Sequence, residues 1–155
     1  MDDSNPKETR KNMPRGIFLL PNLFTTGALF SGFYSIISRM TGDIEQAAIA
    51  IVIAGFLDSL DGRVARLTNT QSEFGVQYDS LSDLVAFGVA PALLMFSWVL
   101  ADLGKLGWFV AFLYMACAAL RLARFNTAPD SKVFFGLASP GAAGTIASLA
   151  WVWHD

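Results

Sequence analysis

A polytopic transmembrane bundle of about five α-helices is the all-α fold class this sequence predicts, and three observations carry the prediction. Hydrophobic residues make up 54% of the 155 positions, and the mean hydropathy is positive, which suits one membrane domain better than a water-soluble globule. The apolar residues gather into five runs joined by short links, each run near the roughly 20 residues that span hydrocarbon. The positive charges collect at one end of those runs: with the amino terminus inside, Lys7, Arg10, Lys11, Arg15, Arg63, Arg66, Arg121, Arg124 and Lys132 share a side, and only Arg39 and Lys105 lie opposite. That asymmetry places the shared side in the cytoplasm. The net charge of −2 argues against a nucleic-acid partner.

Residues 1–15 are polar and hold Pro6 and Pro14, so they are expected to form a cytoplasmic tail ahead of a membrane domain over 16–155. The first run, about 16–38, is too long for a signal-peptide core and has no convincing cleavage site, so it should remain as a helix. It carries Asn22 and Thr25 three residues apart on one face, suited to hydrogen-bonding a base or ribose, although a Pro-Asn pair at a helix start is also an ordinary capping arrangement. The fourth run, about 107–125, contains the single cysteine, Cys117, which permits no disulfide within one chain and is expected to be a small buried hydrophobe. It ends in Arg121, Arg124 and Asn126. The fifth, about 138–153, is the weakest: Ala142 to Trp153 gives about 18 Å of helix, and an earlier start brings in Ser139, Pro140 and Gly141, expected to break or bend it. His154 reads as a terminal interfacial residue.

The second and third runs, about 46–67 and 75–100, carry the chemistry. Within them stand Asp58-Ser-Leu-Asp61-Gly62-Arg-Val-Ala65-Arg66, then Gly75, Asp79 and Asp83. At 100° per residue, Asp58, Asp61, Gly62, Ala65 and Arg66 fall within about 140° of one helix face, and Gly75, Asp79 and Asp83 within roughly 80° of another. Folding the two helices back on each other lets all four carboxylates converge. Four carboxylates in an apolar cleft repel one another unless divalent cations neutralise them, and two such ions are the natural answer. Ionisable residues within membrane segments default to a functional reading.

The pattern D-x2-D-G-x2-A-R-x8-G-x3-D-x3-D resembles, without a mismatch, the signature of the CDP-alcohol phosphotransferases. Further segments resemble the integral-membrane branch that makes phosphatidylserine: Pro21-Asn-Leu-Phe-Thr-Thr-Gly27, Leu29-Phe-Ser-Gly-Phe-Tyr34, Tyr78-Asp-Ser-Leu-Ser-Asp83, Phe87-Gly-Val-Ala-Pro-Ala92, Arg121-Leu-Ala-Arg-Phe-Asn126 and Phe135-Gly-Leu-Ala-Ser-Pro140. The likeness covers about residues 16–145. It departs from that branch at Ala28, where asparagine is frequent, and at Ala138, where proline is. The family core usually has six or more membrane helices, so the resemblance also implies that this chain is truncated or shortened at its carboxyl end.

The resemblance implies a transfer of the phosphatidyl group from CDP-diacylglycerol to L-serine, with release of CMP. Asp58, Asp61 and Asp79, with Asp83 contributing, would hold two Mg2+ or Mn2+ ions, hard cations that prefer oxygen. Asp83 would also be the general base for the acceptor hydroxyl. Gly62 and Gly75 would allow close backbone approach of the CDP moiety, with tight helix packing as the alternative. Arg66 could grip a phosphate in bidentate fashion, and Asn22 and Thr25 would help hold CDP. For serine, Arg121 or Arg124 could bind the carboxylate and Asn126 the ammonium, unless both arginines only snorkel to headgroups. A homodimer in the cell (inner) membrane, its site facing the cytoplasm, is the family expectation. Rival readings are a sibling enzyme using glycerol 3-phosphate or inositol, a cation-coupled transporter with carboxylates near mid-membrane, and, last, a purely structural subunit.

Overall fold

The computed structural model describes residues 19–68, 72–127 and 139–153. The polar tail, Ala138 and His154 lie outside the described residues. Every element among those described is helical: α1 (Leu19–Met40), α2 (Ile44–Thr68), α3 (Glu73–Leu103), α4 (Lys105–Thr127) and α5 (Ser139–Val152). The five apolar runs are therefore five helices, with ends within a few residues of those expected.

The turns between helices are short and chemically specified. Gly42, at φ 94°, closes α1, and the amides of Gly42 and Asp43 donate to the carbonyls of Arg39 and Ser38 at 3.1 and 2.9 Å. This is the glycine-terminated helix end that satisfies the last carbonyls. Asp43 then caps α2 by accepting from the Gln46 amide at 3.0 Å. Gly104, at φ 57°, makes the turn from α3 into α4. Ser72 caps α3 by accepting from the Gly75 amide at 2.9 Å. Helix α5 starts at Ser139, which puts Pro140 in the first turn, where a missing N–H is tolerated. The expected break at Ser139-Pro140-Gly141 is thus a helix start. Its 14 residues reach about 21 Å.

Helix α3 is not uniform. Its α-helical opening, Glu73–Asp83, passes into a π-helical stretch at Leu84–Val89, an α segment at Ala90–Met95, a second π stretch at Phe96–Leu100 and a final 3-10 turn at Ala101–Leu103. Underwound stretches of this kind shift the face that a helix presents. The Tyr114 hydroxyl of α4 donates to the Phe87 carbonyl at 3.0 Å, inside the first π stretch.

The interior is built from small residues and the exterior from large ones. Ala47, Ala48, Ala54, Ala86, Ala90, Ala143, Ala147 and Ala150 are buried with Ile51, Phe87 and Leu94, whereas Phe30, Phe56, Leu106, Trp108, Phe112 and Leu120 point outward and are more than half exposed. In water this would be a large apolar surface without a partner; in lipid it is the expected arrangement, because small residues let helix backbones approach while large ones face the acyl chains. Buried serines tie α1 to α2: Ser31 and Ser35 donate to the carbonyls of Ala50 and Ala47, each at 2.7 Å. Helices α3 and α4 are each long and apolar enough to cross a membrane, and the chain is a helical membrane protein. Cys117 corrects an expectation. It is exposed, because α4 buries little besides Gly107 and Ala111 and turns the rest of its surface outward.

Helix directions alternate, so the carboxyl half of α2, the amino half of α3, the end of α4 and the start of α5 meet at one end of the bundle. At the other end, the Arg39 guanidinium donates to the Ser97 hydroxyl and to the Ser97 carbonyl, and the Trp98 indole N–H donates to the Trp153 carbonyl at 3.2 Å.

Candidate metal and nucleotide site

Asp58 lies on α2 and Asp79 and Asp83 on α3, one helical turn apart, and each offers a carboxylate oxygen within 4.8 Å of the others. Asp83 Oδ1 is buried and accepts no hydrogen bond. Three hard oxygen donors converging on one point, one of them with an unused buried oxygen, fit a divalent cation.

Asp61 keeps the face it shares with Asp58 but is held from α1. It is buried, and its Oδ2 accepts the Thr25 hydroxyl of α1. It stays near enough to act electrostatically on Asp58, Asp79 and Asp83, but the close group is Asp58, Asp79 and Asp83. Thr25 is correspondingly buried and donates to Asp61. Neighbouring Thr26 donates to the Asn22 carbonyl at 2.6 Å and lies 3.0 Å from the Tyr78 hydroxyl of α3.

The two glycines separate. A Cβ on Gly62 would meet nothing within 4 Å, so helix packing gives no reason for glycine there, and the space beside it is open to a ligand. A Cβ on Gly75 would lie 3.1 Å from the Ser72 hydroxyl and 3.7 Å from Asn22 Oδ1, so glycine there leaves the Ser72 cap undisturbed, and Asn22 lies beside the start of α3. Arg63, Arg66 and Arg124 are exposed. Arg121 is half-buried and donates to the Ser139 hydroxyl at 2.8 Å, joining the end of α4 to the start of α5. The Asn126 amide nitrogen donates to the Ser80 hydroxyl at 2.9 Å, and Ser80 also lies 3.2 Å from Asn126 Oδ1. Asn126 therefore contacts the residue after Asp79.

Three residues beyond the sequence-derived set help to build the site. Ser82, between the two α3 aspartates, is buried and donates to the Thr25 carbonyl at 3.0 Å. Tyr78 reaches Thr26. Gly32 of α1 lets α3 approach so closely that a Cβ there would fall 2.7 Å from the Ala86 Cα. A serine between two carboxylates in an apolar helix was the available signal for Ser82; Gly32 had none apart from its lack of a side chain.

Residues 18–154 match the sequence profile of the CDP-alcohol phosphatidyltransferase family. The chain is 45% identical over 130 residues to a CDP-diacylglycerol–serine O-phosphatidyltransferase of Helicobacter pylori, an overlap of 82% of this chain and 55% of the relative. It is 42% identical over 133 residues to an archaetidylserine synthase of Methanothermobacter thermautotrophicus (84% and 57%). Against a CDP-diacylglycerol–serine O-phosphatidyltransferase of Bacillus subtilis it is 36% identical over 137 residues (87% and 77%). The chain thus spans about half the length of the first two relatives.

Proposed function

The chain belongs to the CDP-alcohol phosphatidyltransferase family, and from that premise we propose that it transfers the phosphatidyl group of CDP-diacylglycerol to L-serine, giving phosphatidylserine and CMP. The observation that carries this reading is the meeting of Asp58, Asp79 and Asp83 at one end of the bundle, with Gly62 open beside them. Relatives whose names specify serine support the choice of acceptor.

Asp58, Asp79 and Asp83, with Asp61 alongside, are the residues that would hold two divalent cations, Mg2+ or Mn2+. When bound, such ions neutralise the pyrophosphate and stabilise charge on the leaving phosphate. Asp83, whose Oδ1 accepts no hydrogen bond, would take the proton from the serine hydroxyl. The serine oxygen, relieved of its proton, would then form the bond to the lipid-linked phosphorus as the bond from phosphorus to the CMP oxygen breaks. Gly62 leaves room for the nucleotide, Asn22 and Gly75 line the α1–α3 side, and exposed Arg66 supplies positive charge for a phosphate. Arg124 is exposed and available to a serine carboxylate, whereas Arg121 and Asn126 have protein partners.

The proposal extends to a homodimer in the cell inner membrane, with residues 1–15 as a cytoplasmic tail, the membrane domain beginning at about residue 16, and the site facing the cytoplasm. The test is CMP release from purified protein with CDP-diacylglycerol, Mn2+ and each candidate acceptor. L-serine is expected to support release and glycerol 3-phosphate and inositol to give little, because an acceptor that leaves buried polar groups unpaired is disfavoured. Preference for another alcohol would overturn the acceptor, and no CMP release with any would overturn the transferase reading.

A further inference from the structure

We propose that Ser82 is a positioning residue which, through Thr25, braces both acid-bearing helices against α1 and fixes the rotation of α3 at which Asp79 and Asp83 face Asp58. The kinetic part of this proposal rests on the phosphatidyltransferase reading; the metal-binding part does not.

Thr25 serves two helices at once. Its hydroxyl donates to Asp61 of α2, and its carbonyl accepts the Ser82 hydroxyl of α3 at 3.0 Å. Thr25, Asp61 and Ser82 are 3%, 5% and 1% exposed, so water does not compete for these bonds and each group left unpaired would be costly. Ser82 occupies the same stretch of α3 as Asp79 and Asp83, so holding it holds them.

The helix needs such a pin at this point. A regular helix transmits its rotation along its length, but the π stretch Leu84–Val89 begins immediately after Asp83. Packing of the lower part of α3 therefore does not by itself set the orientation of Glu73–Asp83. A rotation of about 20° moves a carboxylate some 6 Å off the helix axis by about 2 Å, comparable with a whole metal–oxygen bond of roughly 2.0–2.6 Å. The Thr26–Tyr78 contact at 3.0 Å is exposed and the Asn126–Ser80 bond at 2.9 Å only part-buried, whereas the Ser82 bond to α1 is buried.

The test is Mn2+ binding, read from the paramagnetic resonance signal of free Mn2+, together with serine-dependent CMP release and thermal melting of the full chain in detergent. In Ser82→Ala the Mn2+ dissociation constant should rise about tenfold, as for loss of groups that orient metal ligands. The kcat at saturating Mn2+ should fall while KM for serine stays unchanged. Ser82→Thr keeps the donor and should recover Mn2+ affinity. If Ser82→Ala does not fold, Thr25→Val removes the Asp61 arm alone and should weaken Mn2+ binding similarly. A lower melting temperature with wild-type Mn2+ affinity in either folded variant overturns the brace, as does Ser82→Thr binding Mn2+ as weakly as Ser82→Ala. Wild-type protein that binds Mn2+ but releases no CMP refutes the transferase reading instead, and the Mn2+ comparison still decides the role of Ser82.

Discussion

Replacing Gly32 with alanine adds one methyl group at the closest approach of α1 and α3. Its Cβ would stand 2.7 Å from the Ala86 Cα, 2.9 Å from the Ala86 Cβ and 3.2 Å from the Ala86 nitrogen. Two of these atoms belong to the backbone of a packed helix, so no side-chain rotation relieves the clash. Reaching ordinary van der Waals contact requires the helices to part by at least about 0.7 Å, and overpacking of this sort typically costs 1–3 kcal/mol. The separation also acts on the site. Ala86 is three residues beyond Asp83, and Gly32 is on the helix that supplies Thr25. Transmitted in full, the shift would stretch the 3.0 Å Ser82–Thr25 hydrogen bond beyond the normal range.

Gly32→Ala should therefore melt at lower temperature than wild type and lose roughly 100-fold in CMP release, the scale of loss associated with a misplacement of about 1 Å. Gly27→Ala is the matched control on the same helix: its Cβ would meet only the end of the Leu57 side chain, at 3.4 Å, and both readouts should stay close to wild type. Thermal melting in detergent and initial rates of CMP release check both variants. Wild-type stability and rate in Gly32→Ala would refute the close approach of α1 and α3, and with it the argument that α1 locates the acids of α3.

Asp83→Asn keeps the size of the side chain but removes the free acceptor, so turnover should fall about 10²–10⁴-fold while CDP-lipid binding, measured by calorimetry, is retained; parallel loss of binding would recast Asp83 as chiefly a metal ligand. Asp58→Ala and Asp79→Ala each remove one of three converging oxygens, so Mn2+ binding and activity should be lost, and activity that survives in either variant or in EDTA would defeat the metal reading. Gly62→Ala should fold normally, because its Cβ meets nothing, yet bind CDP-diacylglycerol more weakly; unchanged binding would move the nucleotide elsewhere. Arg124→Ala should raise KM for serine more than KM for the lipid, whereas Arg121→Ala should first lower the melting temperature through loss of its 2.8 Å bond to Ser139.

The parts of this molecule that the sequence made legible are those governed by composition and by helical period. Five apolar runs became five helices because hydrocarbon demands continuous internal hydrogen bonding over a fixed length. The direction of the carboxylates was legible too, since positions three and four apart share a helix face whatever the helix packs against. The occupant of the space opposite that face was not. Asp61 lies on the same face as Asp58, yet a neighbouring α1 threonine donates to its carboxylate. A helical wheel gives an angle and contains no information about the other helices. Cys117 illustrates the same point: an apolar neighbourhood in sequence is compatible with burial or with lipid, and only the small residues opposite it decide.

The change of period in α3 has a local cue that a helical wheel does not use, and it bears on how the site is assembled. Gly88 lies within Leu84–Val89 and Pro91 follows it. Lacking an N–H, Pro91 leaves the Phe87 carbonyl four residues earlier without its α-helical donor, and the Tyr114 hydroxyl supplies one at 3.0 Å. Without that unwinding, the face carrying Asp79 and Asp83 would be tied rigidly to the face on which Phe87, Ala90 and Leu94 are buried. With it, the lower part of α3 can satisfy the apolar interior while the upper part is oriented by polar contacts to α1. The helix thus meets two sets of packing requirements that no single regular helical period satisfies, and the change of period falls directly after the last aspartate.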